Sequence, residues 1–147
     1  MTGAGPGITR RGYRLSSYMS ALTDKAKALL DAPVFAAFGT INPDGAPQLS
    51  TMWVTRDGDD VLACTLRGRQ KERNLRRDNR VSVLLTDPDD GESHVEIRGT
   101  ATLSESRARE LMDDLSQKYR GTPFPEEPAD RIRVIVRITP TKLTEHN

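Results

Sequence analysis

A stretch of alternating side chains from His94 to Leu103 is the feature that most constrains the fold. Its odd-numbered positions are apolar or small and its even-numbered positions are polar or charged: Val95, Ile97, Gly99, Ala101 and Leu103 against His94, Glu96, Arg98, Thr100 and Thr102. This period of two is typical of a strand with one buried face and one solvated face, as in an antiparallel sheet or barrel. It disfavours a parallel sheet crossed by helices.

Five further segments have the composition of strands. They are Val34 to Ile41, Gln48 to Arg56, Val61 to Leu66, Val81 to Thr86, and Ile132 to Ile138. The residues 42–45, Asn-Pro-Asp-Gly, fit a type I turn between the first two of these, and Asp57-Gly58 predicts a second hairpin. The result is a run of sequential antiparallel strands.

Three helices are predicted around these strands. The first begins with Thr23 as its cap and ends near Asp31, the second is a polar surface helix from Gly68 to Asp78, and the third runs from Ser104, its cap, to Tyr119. We therefore predict a mainly β fold with peripheral helices: a six-stranded antiparallel β-barrel, closed or nearly closed. Residues 1–19 are predicted to be a mobile arm and residues 20–147 a single domain.

Length and composition limit the kind of protein further. With 147 residues there is no room for separate cofactor and substrate domains, so a cofactor site has to be built economically, for example by two chains. No stretch approaches the roughly 20 apolar residues of a membrane span, and the N-terminus lacks a secretory pattern. We expect a cytoplasmic protein.

The sequence gives little support for catalysis by side chains alone. Cys64 is the only cysteine, so dithiol chemistry and cysteine metal clusters are excluded. Of the two histidines, His146 is interpreted as a mobile surface residue and His94 as a solvent-exposed residue at a strand edge. The acidic segment 87–91 resembles the start of a calcium loop, but its glycine comes too early, so a solvated turn is expected. We assign no catalytic residue and no metal ligand.

A basic segment from Leu66 to Arg80 stands out from a chain of net charge +1. It contains six Arg and Lys71 against Glu72 and Asp78, a local charge of +5. Such a segment can follow a nucleic-acid backbone, grip a cofactor phosphate, or form a solvated face. Aromatic residues do not alternate with these cations, which argues against nucleic acid. For Arg73, Arg76, Arg77 and Arg80 we favour a solvated face or pairing with neighbouring carboxylates.

Two strings around this segment resemble a known family. GAPQLSTMW at 45–53 and RQKERNLRRD at 69–78 resemble the pyridoxamine-phosphate-oxidase-like oxidoreductases in order and spacing. RNLRRD at 73–78 and YRGTP at 119–123 most resemble the actinobacterial branch that uses the deazaflavin coenzyme F-420. The resemblance covers roughly residues 20 to 143 and implies a split β-barrel homodimer with two cofactor sites at the subunit interface.

The resemblance also implies a set of cofactor-binding residues. Strand residues would lie along the ring, two further residues would border the ring and ribityl chain, and the basic segment would surround the phosphate. In that order they are Gln48, Leu49, Ser50, Thr51 and Met52; Thr65 and Leu66; and Arg69, Gln70 and Lys71 with Asn74 nearby. Many FMN-binding relatives have an Arg-Lys pair where this chain has Gln70-Lys71, which weakens FMN as the cofactor.

The expected activity is hydride transfer between coenzyme F-420 and an electron-poor small-molecule acceptor. The carboxylate-rich tail of F-420 would give the surplus arginines a purpose, so F-420 is favoured over FMN. An FMN-dependent oxidase or reductase on the same fold remains the alternative, as does a cofactor-binding protein without enzymatic turnover.

Overall fold

The computed structural model describes residues 21–147 fully and the backbone of residues 7–10 and 13–16. Nine strands and three helices follow one another in these residues. The strands are β1 (Gly7–Arg10), β2 (Tyr13–Ser16), β3 (Ala36–Ile41), β4 (Pro47–Met52), β5 (Thr55–Asp57), β6 (Asp60–Leu66), β7 (Arg80–Asp87), β8 (Asp90–Ser104) and β9 (Arg133–His146). The helices are α1 (Asp24–Asp31), α2 (Gln70–Arg77) and α3 (Ala108–Arg120).

All nine strands belong to one antiparallel sheet. Seven form the path β1-β2-β9-β8-β7-β3-β4, while β6 joins through β9 and β5 pairs with β6. The prediction of a mainly β fold with peripheral helices is confirmed, but the count of six strands is wrong. The sheet formed by the described residues is not closed, which corrects the expectation of a closed or nearly closed barrel.

The largest difference from the prediction is the branching of β9. Its first half pairs with β6, and its last four residues pair with β2, while β8 lies along most of its length. The pattern of alternation stops at Ile138 because Pro140 follows, yet the strand continues to His146. Proline is tolerated because the β8 register shifts between Arg98 and Gly99, opposite Pro140.

Gly99 permits the close approach of the two strands at this shift. A Cβ atom built on Gly99 would lie 2.3 Å from the backbone oxygen of Thr139. Any larger residue would push β8 and β9 apart.

Two segments differ in extent from what the sequence predicts. The segment Gln48 to Arg56 is divided into β4 and β5, because the Val54 N–H donates to the hydroxyl of Tyr119 (3.0 Å) instead of to a neighbouring strand. Within the predicted arm 1–19, residues 7–10 and 13–16 are an antiparallel hairpin that pairs with β9. The other residues of the arm lie outside the described residues.

Of the two predicted helix caps, one is confirmed and one is wrong. Thr23 caps α1 as predicted, its hydroxyl accepting from the Ala26 N–H (3.2 Å). Ser104 does not cap α3: the helix begins at Ala108 after Arg107, whose φ of 62° is left-handed, and the Ser104 hydroxyl instead accepts from the Ser106 N–H.

Two apolar clusters fill the interior. The larger lies between the sheet and α1 and includes Leu30, Phe38, Val83 and Ile97. The smaller lies between α3 and β6, around Met112 and Leu115, with Trp53 and Phe124 at its margin. Among the described residues, no helix is long and apolar enough to cross a membrane.

Candidate cofactor site

A cavity of about 280 Å³ opens beside the second apolar cluster, where β4 and β6 end and α2 begins. Six of the residues expected from the resemblance line it: Thr51, Met52, Thr65, Leu66, Arg69 and Lys71. No acidic side chain is among the described residues of its wall. The cavity therefore favours an anionic ligand.

Two cations of the basic segment line this cavity: Arg69, the N-cap residue of α2, and Lys71 in its first turn. Neither side chain has a hydrogen-bond or ion-pair partner among the described residues. Lys71 is only 9 % exposed, and burial, with a smaller contribution from the charge of Arg69, lowers its pKa below the usual value. A partly desolvated ammonium without a protein partner is stabilised when an anionic ligand supplies the counter-charge.

The remaining basic residues of the segment are bound within the protein. Arg67 pairs with Glu105, Arg76 with Glu72, and Arg80 with Asp78. Arg73 donates to the Gly68 carbonyl (2.6 Å), and Arg77 donates to the Ile41 carbonyl. The favoured interpretation of Arg76 and Arg80 as partners of neighbouring carboxylates is confirmed.

The start of α2 is held in place by a carboxylate that the sequence did not single out. Glu72 is 1 % exposed, accepts from the Gly68 N–H (2.7 Å) and pairs with Arg76. The helix was predicted to be a polar surface helix, yet Lys71, Glu72 and Asn74 are buried together with Leu75. Polar contacts of Asn74 and Arg77 with β3, together with Leu75 in the larger apolar cluster, attach this helix to the sheet.

Five expected residues do not line the cavity: Gln48, Leu49, Ser50, Gln70 and Asn74. Asn74 is fully buried and donates to Thr40 and Asn42 (3.0 Å each), while Gln48 accepts from the Thr40 hydroxyl (2.7 Å). Gln70 donates to the Asn74 amide oxygen (2.8 Å). This amide network fixes α2 against β3 and β4, one layer behind the cavity.

The side chains of Leu49 and Ser50 of β4 belong neither to the cavity nor to this amide network. Leu49 is 71 % exposed on the outer face of the sheet, where it lines a second cavity of about 510 Å³. The Ser50 hydroxyl is buried without a partner among the described residues.

Aromatic residues that the prediction did not include form the other wall of the 280 Å³ cavity. Phe35, Trp53 and Phe124 line it. Trp53 stacks on Tyr119 with 5.2 Å between ring centroids and 11° between planes, and meets Phe124 edge-on at 6.3 Å. The one signal in the sequence was Trp53, the only tryptophan, in the string that carries the resemblance.

The other chemically reactive groups are poor candidates for catalysis. Cys64 borders the cavity, but burial raises the pKa of its thiol to about 11, so the nucleophilic thiolate is scarce at neutral pH. His146 lies in β9 and stacks on His94 at 5.3 Å, which corrects its interpretation as a mobile surface residue. Residues 21–147 contain no group of three or more His, Cys, Asp or Glu side chains placed to hold a metal ion.

Comparison with known proteins agrees with this arrangement. The family model for pyridoxamine 5'-phosphate oxidase matches residues 22–147. A solved F420 reductase is 30 % identical, covering 83 % of this chain and 98 % of its own, with a TM-score of 0.74. A conserved hypothetical protein of Mycobacterium tuberculosis is 26 % identical over 86 % of both chains, with a TM-score of 0.70.

A third structure, a provisionally named pyridoxamine 5'-phosphate oxidase of Listeria innocua, is 23 % identical with a TM-score of 0.66. It covers 83 % of this chain and 95 % of its own, and at this identity the likeness shows the fold alone.

The fold and these matches define a flavin-related oxidoreductase, with a flavin or a deazaflavin as its cofactor. More particularly, the chain belongs to the pyridoxamine 5'-phosphate oxidase family, which confirms the resemblance found in its sequence.

Proposed function

We propose that this protein is a coenzyme F-420-dependent oxidoreductase that transfers a hydride between the deazaflavin and an electron-poor small-molecule acceptor. The observation that carries this proposal is the pair of unpartnered cations, Arg69 and Lys71, on a cavity wall without acidic side chains. The similarity to an F420 reductase supports F-420 over FMN.

The phosphate of the cofactor would lie at the start of α2. Arg69 is the N-cap residue of this helix and makes no side-chain cap hydrogen bond, so the first-turn N–H groups and the helix dipole are available to an anion. Lys71 would supply a charge-assisted hydrogen bond. Glu72 and Asn74 would hold the helix in place behind them.

The ring of the cofactor would lie toward the ends of β4 and β6. When bound, the deazaflavin supplies the hydride chemistry. Thr51 and Thr65 would donate or accept hydrogen bonds along the ring edge, while Met52 and Leu66 exclude water. In this proposal the chain binds and orients the reactants, and no side chain acts as an acid or base.

A second copy of the chain would complete the site. At about 280 Å³ the cavity lies below the range of about 300–1,000 Å³ usual for ligand pockets. Phe35 at its wall is 62 % exposed, and Leu49 and Leu84 lie on the same outer face of β4 and β7, next to Gly39 and Ala37 of β3. We therefore propose a homodimer that covers this apolar face and carries two cofactor sites.

The dimer is tested by sedimentation velocity of the wild-type protein and of a Leu49→Glu variant. We expect a dimer that the buried glutamate converts to folded monomers. A wild-type monomer at all concentrations would contradict the shared site.

The cofactor is tested by fluorescence titration of the purified protein with oxidised F-420 and, separately, with FMN. We expect micromolar binding of F-420 that Lys71→Ala weakens at least tenfold. Lys27→Ala is the matched control: Lys27 of α1 pairs with Asp59 and lines neither cavity, so its loss should leave the affinity unchanged.

The other outcomes of the titration are equally decisive. Tight binding of FMN alone would assign the protein to the flavin-dependent branch. Binding of neither compound would contradict the cofactor-enzyme proposal.

A further inference from the structure

Arg133 is the third cation of the 280 Å³ cavity, and the proposed cofactor phosphate does not account for it. It is the first residue of β9 and lies directly across from Leu66, which also lines the cavity. Its side chain is only 15 % exposed. A guanidinium buried to this degree at the wall of a cavity needs hydrogen-bond acceptors.

Glu127 satisfies one edge of this guanidinium. Nε of Arg133 donates to Oε1 of Glu127 (2.9 Å), and Nη2 donates to Oε2 (2.8 Å). An arginine has five N–H donors, and the three others of Arg133 have no partner among the described residues. They include the parallel N–H pair on Nη1 and Nη2, the fork that fits both oxygens of a carboxylate.

Glu127 does not cancel the positive charge of this region. The same carboxylate also accepts from Arg109 (3.0 Å) and lies 3.9 Å from Arg131, so three guanidinium groups share it. Hydrogen bonding from Arg133 lowers the pKa of Glu127, which keeps it ionised at neutral pH. Arg133 is thus held firmly in one orientation while the region stays electropositive.

The surroundings of Arg133 indicate the shape of the ligand. Its guanidinium carbon lies 5.2 Å from the centre of the Phe124 ring, and Trp53 stands edge-on to that ring. Met112 and Leu115 of α3 complete an apolar wall. Flat unsaturated groups pack well against such a wall.

We propose that Arg133, Trp53 and Phe124 form a subsite for the acceptor substrate, and that this acceptor is a planar conjugated compound carrying a carboxylate. The inference rests on the proposed function, because it assigns the acceptor of that reaction. Arg133 determines specificity by binding the carboxylate, while the conjugated part lies against the aromatic wall.

Binding of two matched probes tests the subsite without measuring turnover. Isothermal titration calorimetry compares trans-cinnamate with cinnamamide, its neutral analogue of the same shape, on the protein alone and on the protein saturated with oxidised F-420. We expect cinnamate to bind at least tenfold more tightly than cinnamamide. Equal affinities would overturn the carboxylate assignment.

Variants of two arginines of β9, Arg133 and Arg137, test whether Arg133 is the residue that binds the carboxylate. Arg133→Gln should weaken cinnamate at least tenfold and leave cinnamamide unchanged, and Arg133→Lys, which keeps the charge but not the fork, should have an intermediate effect. Arg137→Gln is the control, because Arg137 pairs with Asp57 and Asp60 away from the cavity. If Arg133→Gln does not fold, the affinities of Arg133→Lys for cinnamate and cinnamamide alone test the proposal. Equal weakening of both probes would show a structural role and overturn the proposal.

The F-420 titration separates this inference from the proposed function. Unchanged F-420 affinity in Arg133→Gln, together with loss of cinnamate binding, supports an acceptor subsite. Weakened F-420 with unchanged cinnamate would assign the fork to a carboxylate of the cofactor tail and overturn the acceptor assignment. Failure of the wild type to bind F-420 contradicts the proposed function itself, whatever the cinnamate result.

Discussion

Lys71 and Lys118 are two partly buried lysines of one chain with opposite surroundings. Burial lowers the pKa of both, that of Lys118 to about 8. The ammonium of Lys118 donates to the carbonyls of Leu30 and Val54 and lies 5.1 Å from the centre of the Tyr119 ring. Lys71 has no such partner and faces the cavity. The Lys118 ammonium satisfies two backbone carbonyls, whereas a buried ammonium without partners is better explained by a ligand.

Among the substitutions that test this comparison, Lys118→Met should have the largest effect on the free energy of unfolding. It removes the donor to two backbone carbonyls, so we expect the free energy of unfolding to fall by about 1 to 3 kcal/mol. Urea denaturation at pH 7 measures this. The control is Lys27→Met on α1, whose ion pair with Asp59 is long (3.9 Å) and partly exposed, and which should change stability by less than about 0.5 kcal/mol.

The same substitution at Lys71 should have the opposite outcome. Lys71→Met removes an unpartnered charge from a buried position, so we expect the free energy of unfolding to stay unchanged or to rise by up to about 1 kcal/mol. F-420 affinity should nevertheless fall at least tenfold. A loss of stability as large as that of Lys118→Met would show that Lys71 is a structural residue.

The pH dependence of stability distinguishes Lys118 in a second way. In the unfolded chain this lysine keeps its proton to about pH 10.5, whereas the folded pKa is about 8, so the unfolded state binds more protons in between. Stability from this residue therefore rises with pH above 8. Cys64, whose pKa is raised to about 11, opposes the trend above pH 9.

The Lys118→Met variant isolates the lysine from the cysteine. Subtracting its unfolding free energy from that of the wild type at pH 7.5, 8.5 and 9 should give a difference that grows with pH. A constant difference would contradict the lowered pKa of Lys118.

The smallest effects on F-420 affinity are expected from substitutions of two arginines in the α2 region. Arg69 is exposed, so a salt bridge to the cofactor would contribute at most about 1 kcal/mol, and Arg69→Gln should weaken F-420 about three- to fivefold. Arg73 is already bound to the Gly68 carbonyl and to Gln70, so Arg73→Gln should change the affinity less than twofold. Equal losses would show that overall charge, not the position of each cation, attracts the cofactor.

Local sequence was enough to predict much of the sheet. The alternation of Val95 and Ile97, the turn that closes with Gly45 N–H donating to the Asn42 carbonyl, and the Thr23 cap all depend on near neighbours in the chain. The division at Val54 and the continuation of β9 beyond Ile138 depend on distant partners, Tyr119 and the register shift at Gly99. No local pattern contains that information.

The sequence predicted only some of the residues that line the cavity, and it included others that do not line it. Successive residues of a strand point to opposite faces, so Gln48, Leu49 and Ser50 cannot all face one ring. Leu49 points outward, while Gln48 lies on the side of Thr40 and the amide network. Arg133 and Phe124 come from elements far along the chain from α2, and only the pairing of β6 with β9 brings Arg133 to the cavity.

The branched strand β9 also has a consequence for how this chain reaches its native state. It follows the other strands in chain order, yet its ladders with β2, β6 and β8 are what unite them. Before these long-range ladders form, the remaining strands have unpaired edges and the cavity lacks one wall. Slow refolding with a concentration-dependent loss to aggregates is the expected behaviour, because non-local strand pairing is slow and open edges associate.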